Sequence, residues 1–130
     1  MSDANDAVIV AAVRTPIGRS GRSLAGLSLQ DIGAQTVAAA IAASGLRTDA
    51  VDDLILGEVL QGGGCTARYV ANALGLPPDT PGGTVQRQCA TGMMAVQGAA
   101  DRGAGGRHND GIAGFGHGKC LLRPARRRGS

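Results

Sequence analysis

Two short apolar runs constrain the fold of this chain more than any other feature. Residues 7–13 consist of Ala, Val and Ile only, and residues 54–60 begin with Leu-Ile-Leu. Runs of this length and composition predict strands that are covered on both faces, as in the sheets of α/β proteins. We therefore expect a sheet whose strands are separated by helices.

The segments that follow these runs predict the helices. Ser28 and Asp31 have the spacing of a helix N-cap with an acid three residues on, and Gly45 is a natural helix end. Between them, apolar positions recur at steps of three and four residues. A second helix is predicted over residues 66–73, a short strand over residues 84–86 and a small-residue helix from Cys89 onward. The pattern β-α-β-α-β-α belongs to the α/β class.

The last thirty residues differ from the rest of the chain. Residues 1–100 hold six Arg and no Lys against eight acidic side chains, a net charge of −2, whereas residues 101–130 carry +5. We expect a domain over residues 1–102 and a Gly/Arg-rich tail over residues 103–130 with little stable structure and no core element. Such a tail permits nucleic-acid binding by a small basic protein. The lack of aromatic residues beside the arginines disfavours stacking on bases.

Cysteine usage and the N-terminus exclude several classes of protein. Cys65, Cys89 and Cys120 make an odd count without a C-x-x-C pair, which argues against a disulfide framework or a zinc site. The first six residues are acidic, unlike a signal peptide, and no apolar run approaches the ~20 residues of a membrane span. The sequence predicts a cytoplasmic protein without a metal.

Cys89 is the candidate reactive residue, and two interpretations are open for it. It follows a predicted strand and opens a helix, where unpaired N–H groups and the helix dipole stabilise a thiolate. The same N–H groups can hold the oxyanion that forms when a thioester is attacked. The alternative is that Cys89 is a small buried packing residue, as free cysteines usually are.

Several segments, taken in order along the chain, resemble the thiolase family. The most specific is the segment around Cys89, which is similar to the acyl-enzyme signature of thiolases. The matching segments are residues 7–18 (AVIVAAVRTPIG), 23–26 (SLAG), 56–62 (LGEVLQG), 67–68 (AR) and 85–96 (VQRQCATGMMAV).

The resemblance implies a fold, a reaction and partners. The fold is the first part of a thiolase N-terminal domain, followed by the irregular basic tail. The reaction is Claisen condensation of acyl-CoA thioesters, or thiolytic cleavage of 3-oxoacyl-CoA, with Cys89 carrying the acyl group and its own N–H facing the thioester oxygen. Coenzyme A is then part of the substrate, and no other cofactor, metal, nucleic acid or membrane is expected. Thiolases are dimers or tetramers.

The chain also departs from the family pattern. Gln86 stands where thiolases commonly have Asn, and Cys65 has no matching role, which favours a loop or packing cysteine. The G-H-P motif, whose His activates the nucleophile, and the C-x-G motif, whose Cys moves the proton of the condensing carbon, do not occur. His117 and Cys120 lie close together in the sequence, but neither neighbourhood resembles these motifs. The coenzyme A-binding loop domain is missing too.

These departures predict a truncated N-terminal fragment without turnover of its own, or a non-catalytic remnant. A frameshift explains the tail with few assumptions. One back-translation of residues 117–124, read one base later, encodes MESASFA, which resembles the thiolase continuation. Similarity, periodicity and charge balance all change near residue 103.

Overall fold

A computed structural model of the chain describes residues 7–60, 64–104, 111–115 and 118–124. Its strands are β1 (Ala7–Arg14), β2 (Asp53–Gly57), β3 (Gly82–Val85), β4 (Gly111–Phe115) and β5 (Gly118–Pro124). Within these ranges they form one sheet in the order β1-β5-β4-β2-β3. β2 runs parallel to β3 and β4, whereas β5 is antiparallel to its neighbours β1 and β4.

Helices alternate with the first three strands, which confirms the predicted α/β class. They are α1 (Leu29–Ser44), α2 (Thr66–Ala73) and α3 (Thr91–Ala104). α1 begins at the predicted cap, where the Ser28 hydroxyl accepts the N–H of Asp31 at 3.0 Å and the Asp31 carboxylate accepts the N–H of Ser28 at 3.3 Å. It ends at Gly45, whose φ of 70° is left-handed and therefore suits glycine.

The helices cover the two faces of the sheet unequally. Leu54 and Leu56 of β2 pack against α1 and α2, and Ile55 between them packs against α3. This alternation follows from strand geometry, because successive side chains point to opposite faces. All three side chains are almost completely buried, so β2 is covered on both faces, as predicted.

The prediction that β1 is covered on both faces is wrong. Val8, Ile9 and Val10 are 39%, 61% and 40% exposed, whereas Ala11 is buried in the core beside α1. β1 lies at one edge of the described sheet, and its pairing with β5 shifts register between Ile9 and Ala11. An apolar run specifies a strand, but strand order, which decides its burial, is a property of the whole sheet.

The expectation of little stable structure over residues 103–130 also needs correction. α3 continues to Ala104, and residues 111–115 and 118–124 form β4 and β5. β4 lies between β2 and β5, so this part of the chain contributes to the sheet. Its backbone pairs with strands that are distant in sequence, and such pairing requires no local hydrophobic periodicity. A boundary at residue 102 and the frameshift stay predictions, and the remaining tail residues lie outside the described ranges.

A close approach between α2 and β3 fixes the position of both elements. A Cβ atom added to Gly82 would lie 2.6 Å from the backbone nitrogen of Arg68, closer than any side chain tolerates. The Arg68 guanidinium also donates to the carbonyl oxygens of Pro78 and Thr80, at 3.1 and 2.5 Å. α2 is therefore held against the strand that leads to Cys89.

Candidate active site

Cys89 lies in the short connection between β3 and α3. β3 ends at Val85, residues Gln88–Ala90 form a single 3-10 turn, and α3 begins at Thr91. The connection leaves the sheet at the carboxyl end of β3, next to the carboxyl end of the parallel strand β2. Ligands of parallel α/β sheets bind at this end of the strands.

The side chain of Cys89 is exposed and its thiol is free. The interpretation of Cys89 as a buried packing residue is therefore wrong. Within the described residues, the N–H of Cys89 has no hydrogen-bond partner, whereas the N–H of Ala90 donates to the carbonyl oxygen of Arg87 at 3.0 Å. Among the described residues, a free thiol and an N–H without a hydrogen-bond partner thus belong to the same residue, two positions before the start of α3. This arrangement can accept an acyl group and bind the oxyanion that forms during the transfer.

The backbone immediately before Cys89 is strained. Gln88 has a φ of 48°, and within the described residues it is the one non-glycine residue with a positive φ. The left-handed conformation costs an ordinary residue about 1–2 kcal/mol, and such strain concentrates at functional sites. The N–H of Arg87 donates to the hydroxyl of Thr91 at 2.7 Å, so one hydrogen bond spans Cys89.

Gln86 makes a specific contact although the family commonly has Asn at this position. Its side-chain amide donates to the carbonyl oxygen of Val59 at 2.9 Å. The contact joins the loop after β2 to the loop that carries Cys89. Exposed apolar side chains lie on both segments, namely Leu60 (86% exposed) in the first and Met93 (72%) at the start of α3. Each of these segments therefore carries an exposed apolar side chain.

Glu58 carries a buried carboxyl group, and sequence reasoning missed it. Glu58 follows β2 and is 9% exposed, and it accepts a hydrogen bond from the hydroxyl of Thr66 at the start of α2. The N–H of Glu58 donates to the carbonyl oxygen of Val85 at 3.0 Å. These bonds tie β2, α2 and the end of β3 together. The available signal was an acidic residue inside an apolar run, which is costly unless it is paired.

Cys65 is exposed and lies directly before α2. Its thiol donates to the carbonyl oxygen of Gly82 at 2.9 Å and lies 3.3 Å from the hydroxyl of Thr84. Cys65 is thus engaged with β3, in a loop position, and the packing alternative does not hold because the residue is exposed. His117, which is close to Cys120 in the sequence and for which no pairing with it was predicted, lies outside the described residues.

No metal site is found in the described part of the chain, where His, Cys, Asp and Glu do not cluster in groups of three or more. A cleft lies at the opposite end of the sheet from Cys89, because its lining residues precede β2 and β3. They are Asp49, Val51, Asp52, Pro77, Asp79, Thr80 and Pro81. The described helices also lack the length and apolar character that a membrane crossing requires.

Comparison with known proteins identifies the family. The family described as "Thiolase, N-terminal domain" matches residues 7–116. The chain therefore belongs to the thiolase family, and the resemblance seen in the sequence is confirmed.

Individual relatives agree with this membership. Acetyl-CoA acetyltransferase of Cupriavidus necator is 38% identical over 98 residues, which cover 74% of this chain and 25% of the relative. The mitochondrial acetyl-CoA acetyltransferase of Bos taurus is 39% identical over 94 residues, or 71% of this chain and 22% of the relative. The chain thus spans about a quarter of the length of these relatives.

Two solved structures share the fold. An Ascaris suum thiolase in complex with coenzyme A has a TM-score of 0.80 and 31% identity, over 83% of this chain and 29% of that one. The Bacillus anthracis acetyl-CoA acetyltransferase has a TM-score of 0.81 and 36% identity, over 85% and 28%. The described sheet and helices therefore have the arrangement of a thiolase N-terminal region.

Proposed function

We propose that Cys89 is an acyl-accepting nucleophile that takes the acyl group of an acyl-CoA thioester. The observation that carries this proposal is the exposed thiol of Cys89, whose own N–H is free, at the start of α3 in a thiolase domain. The thiolate attacks the carbonyl carbon and a C–S bond to Cys89 forms. The C–S bond to coenzyme A breaks, and coenzyme A leaves as the thiol with the proton that Cys89 gave up.

The N–H of Cys89 stabilises the oxyanion of this step. It is available because the turn directs other N–H groups to other acceptors, as Ala90 donates to Arg87. Removing one such donor typically lowers acyl-transfer rates by about 10²–10³-fold. In the complete family reaction, the acyl group then passes to a second acyl-CoA in the synthetic direction, or to coenzyme A in thiolysis. Assembly as a dimer or tetramer and a cytoplasmic location belong to the same proposal.

The 130-residue chain on its own is proposed to stop at acyl-Cys89. The motifs that supply the activating His and the second Cys in thiolases do not occur in this sequence. Losing a general base typically costs about 10²–10⁴-fold, and here two roles are lost together. No observation on the described residues favours the alternative of a basic nucleic-acid-binding protein.

Incubation with acetyl-CoA followed by peptide mass mapping tests the proposal. We expect one acetyl group on Cys89, little on Cys65 or Cys120, and release of no more than about one coenzyme A per chain. Cys65→Ser is the matched control, because it removes another exposed thiol and should leave this acetylation intact. Acetyl groups spread evenly over the three cysteines would contradict the proposal. Many coenzyme A molecules released per chain would contradict the fragment interpretation.

A further inference from the structure

The hydroxyl of Thr91 closes the turn that contains Cys89. It accepts the N–H of Arg87 at 2.7 Å, and Thr91 itself is only 3% exposed. The N–H of Thr91 donates to the carbonyl oxygen of Gln88, which closes the 3-10 turn from the other side. Cys89 lies between the two ends of the side-chain bond but takes no part in it.

This hydrogen bond helps to hold Gln88 in its strained, left-handed conformation. A non-glycine residue leaves the left-handed region unless its surroundings hold it there. Arg87, just before Gln88, is held through its N–H, and Thr91, itself buried, is the first residue of α3. Without the hydroxyl, the N–H of Arg87 is left without its acceptor, and the turn gains freedom to relax.

We propose that Thr91 is a positioning residue for Cys89, an inference that rests on the proposed function of Cys89. The Thr91 hydroxyl holds the strained turn, and the turn presents the Cys89 thiol to solvent beside its own free N–H. Preorganised donors act on a developing charge only when their geometry is fixed before the reaction. Thr91 thus acts through the backbone, without touching the substrate.

The test compares Thr91→Val with Thr91→Ser in the full 130-residue chain. Valine has nearly the shape of threonine but no acceptor, whereas serine keeps the hydroxyl. The measurement is the second-order rate of iodoacetamide modification at Cys89 and at Cys65 in the same sample, resolved by peptide mass mapping. We expect Thr91→Val to lower the modification rate of Cys89 by about three- to tenfold and to leave the modification rate of Cys65 unchanged. Thr91→Ser should restore the Cys89 rate to within about twofold of the original.

Three outcomes would overturn the proposal. These are an unchanged Cys89 rate in Thr91→Val, a Thr91→Ser rate as low as that of Thr91→Val, or faster modification of both cysteines, which marks general loosening. If Thr91→Val lacks a cooperative melt, Thr91→Ala carries the same comparison with the same expected selective slowing. Failure of the proposed function is a separate result, because the unsubstituted chain would then show no preference for Cys89 over Cys65.

Discussion

The two faces of the sheet are built differently, although the same strand, β2, contributes to both. The face toward α1 and α2 buries large aliphatic side chains, and four of them are at most 1% exposed (Val37, Val51, Leu54 and Val70). On the face toward α3, the described buried cluster is Ile55 with two alanines, Ala95 and Ala99. One face therefore supplies most of the apolar burial among the described residues.

The sparse face is the one whose helix, α3, follows the candidate nucleophile Cys89. Small residues of α3 face β2 here, and even a Cβ atom added to Gly98 would make only ordinary contact, at 3.7 Å from the Cδ1 atom of Ile55. At the start of the same helix, Met93 and Met94 are 72% and 39% exposed. Among the described residues, the comparison assigns most of the large buried side chains to the α1/α2 face, and α3, which follows Cys89, lies on the other face.

The largest expected effect contrasts two neighbouring residues of β2. Leu54→Ala should lower the free energy of unfolding by about 3–5 kcal/mol, because Leu54 lies among large buried side chains. Ile55→Ala should cost about 2 kcal/mol, near the lower end for such changes, because its described neighbours are small. Urea denaturation measures both values. Equal losses of unfolding free energy in the two variants would contradict the difference between the two faces.

The ion pair between α3 and β2 should have the next largest effect. Arg102 contacts the carboxylate of Asp53, whose side chain is 4% exposed, while that of Arg102 is 51% exposed. The second carboxylate oxygen, Oδ1, has no partner among the described residues. Arg102→Gln should cost about 1–3 kcal/mol, since it leaves a buried charge unpaired and solvent at Arg102 moderates the loss.

Asp53→Asn together with Arg102→Gln is the matched control for that pair. The double variant removes both charges, so it should be more stable than Arg102→Gln alone. A double variant that is less stable than the single one would show that the pair does not anchor α3 through charge. Thermal melts of the three proteins make the comparison.

Two helical glycines provide a finer contrast between the faces. A Cβ atom on Gly98 of α3 would make only ordinary contact at 3.7 Å, whereas one on Gly33 of α1 would lie 3.0 Å from the Cγ2 atom of Val70. Gly98→Ala should therefore stabilise the protein by about 0.5–1 kcal/mol through helix propensity. At Gly33 the crowding should cancel that gain or reverse it. Equal stabilisation at both positions would contradict the difference in packing.

The smallest effect is expected at an ion pair that belongs to neither face. A hydrogen bond from Arg47 lowers the pKa of Asp49, with desolvation opposing it and the charge of Arg47 adding to it. The contribution of Asp49 to stability is therefore full above its ordinary pKa and is lost as the pH falls through its lower folded pKa. Asp49→Asn should shift the urea midpoint slightly at pH 7, and the shift should shrink as the pH falls through the folded pKa of Asp49. A large shift at pH 7 would show an unrecognised structural role.

Local signals in the sequence predicted the elements that depend on neighbouring residues. The cap at Ser28, the end at Gly45 and the bounds of α2 all follow from short-range chemistry. The exposure of β1 and the strands β4 and β5 were not predictable in this way, because they depend on pairing between distant segments.

The same distinction applies to the candidate site, where local features were predictable from the sequence and contacts across the turn were not. A helix opening at Cys89 was predicted from the sequence, and the structure has a 3-10 turn at Cys89 with α3 beginning two residues later, at Thr91. The left-handed backbone of Gln88 and the hydrogen bond to Thr91 could not, since a side-chain bond across a turn exists only once the turn has formed.

The most direct test of the account is the ratio of alkylation rates at Cys89 and Cys65, measured in the folded chain and again in urea. Both thiols are exposed, so access alone does not separate them. A preorganised helix start should make Cys89 about tenfold faster than Cys65 in the folded chain, and the ratio should fall to about one once urea unfolds it. Equal rates in the folded chain, or a ratio that persists in urea, would contradict a nucleophile prepared by the fold.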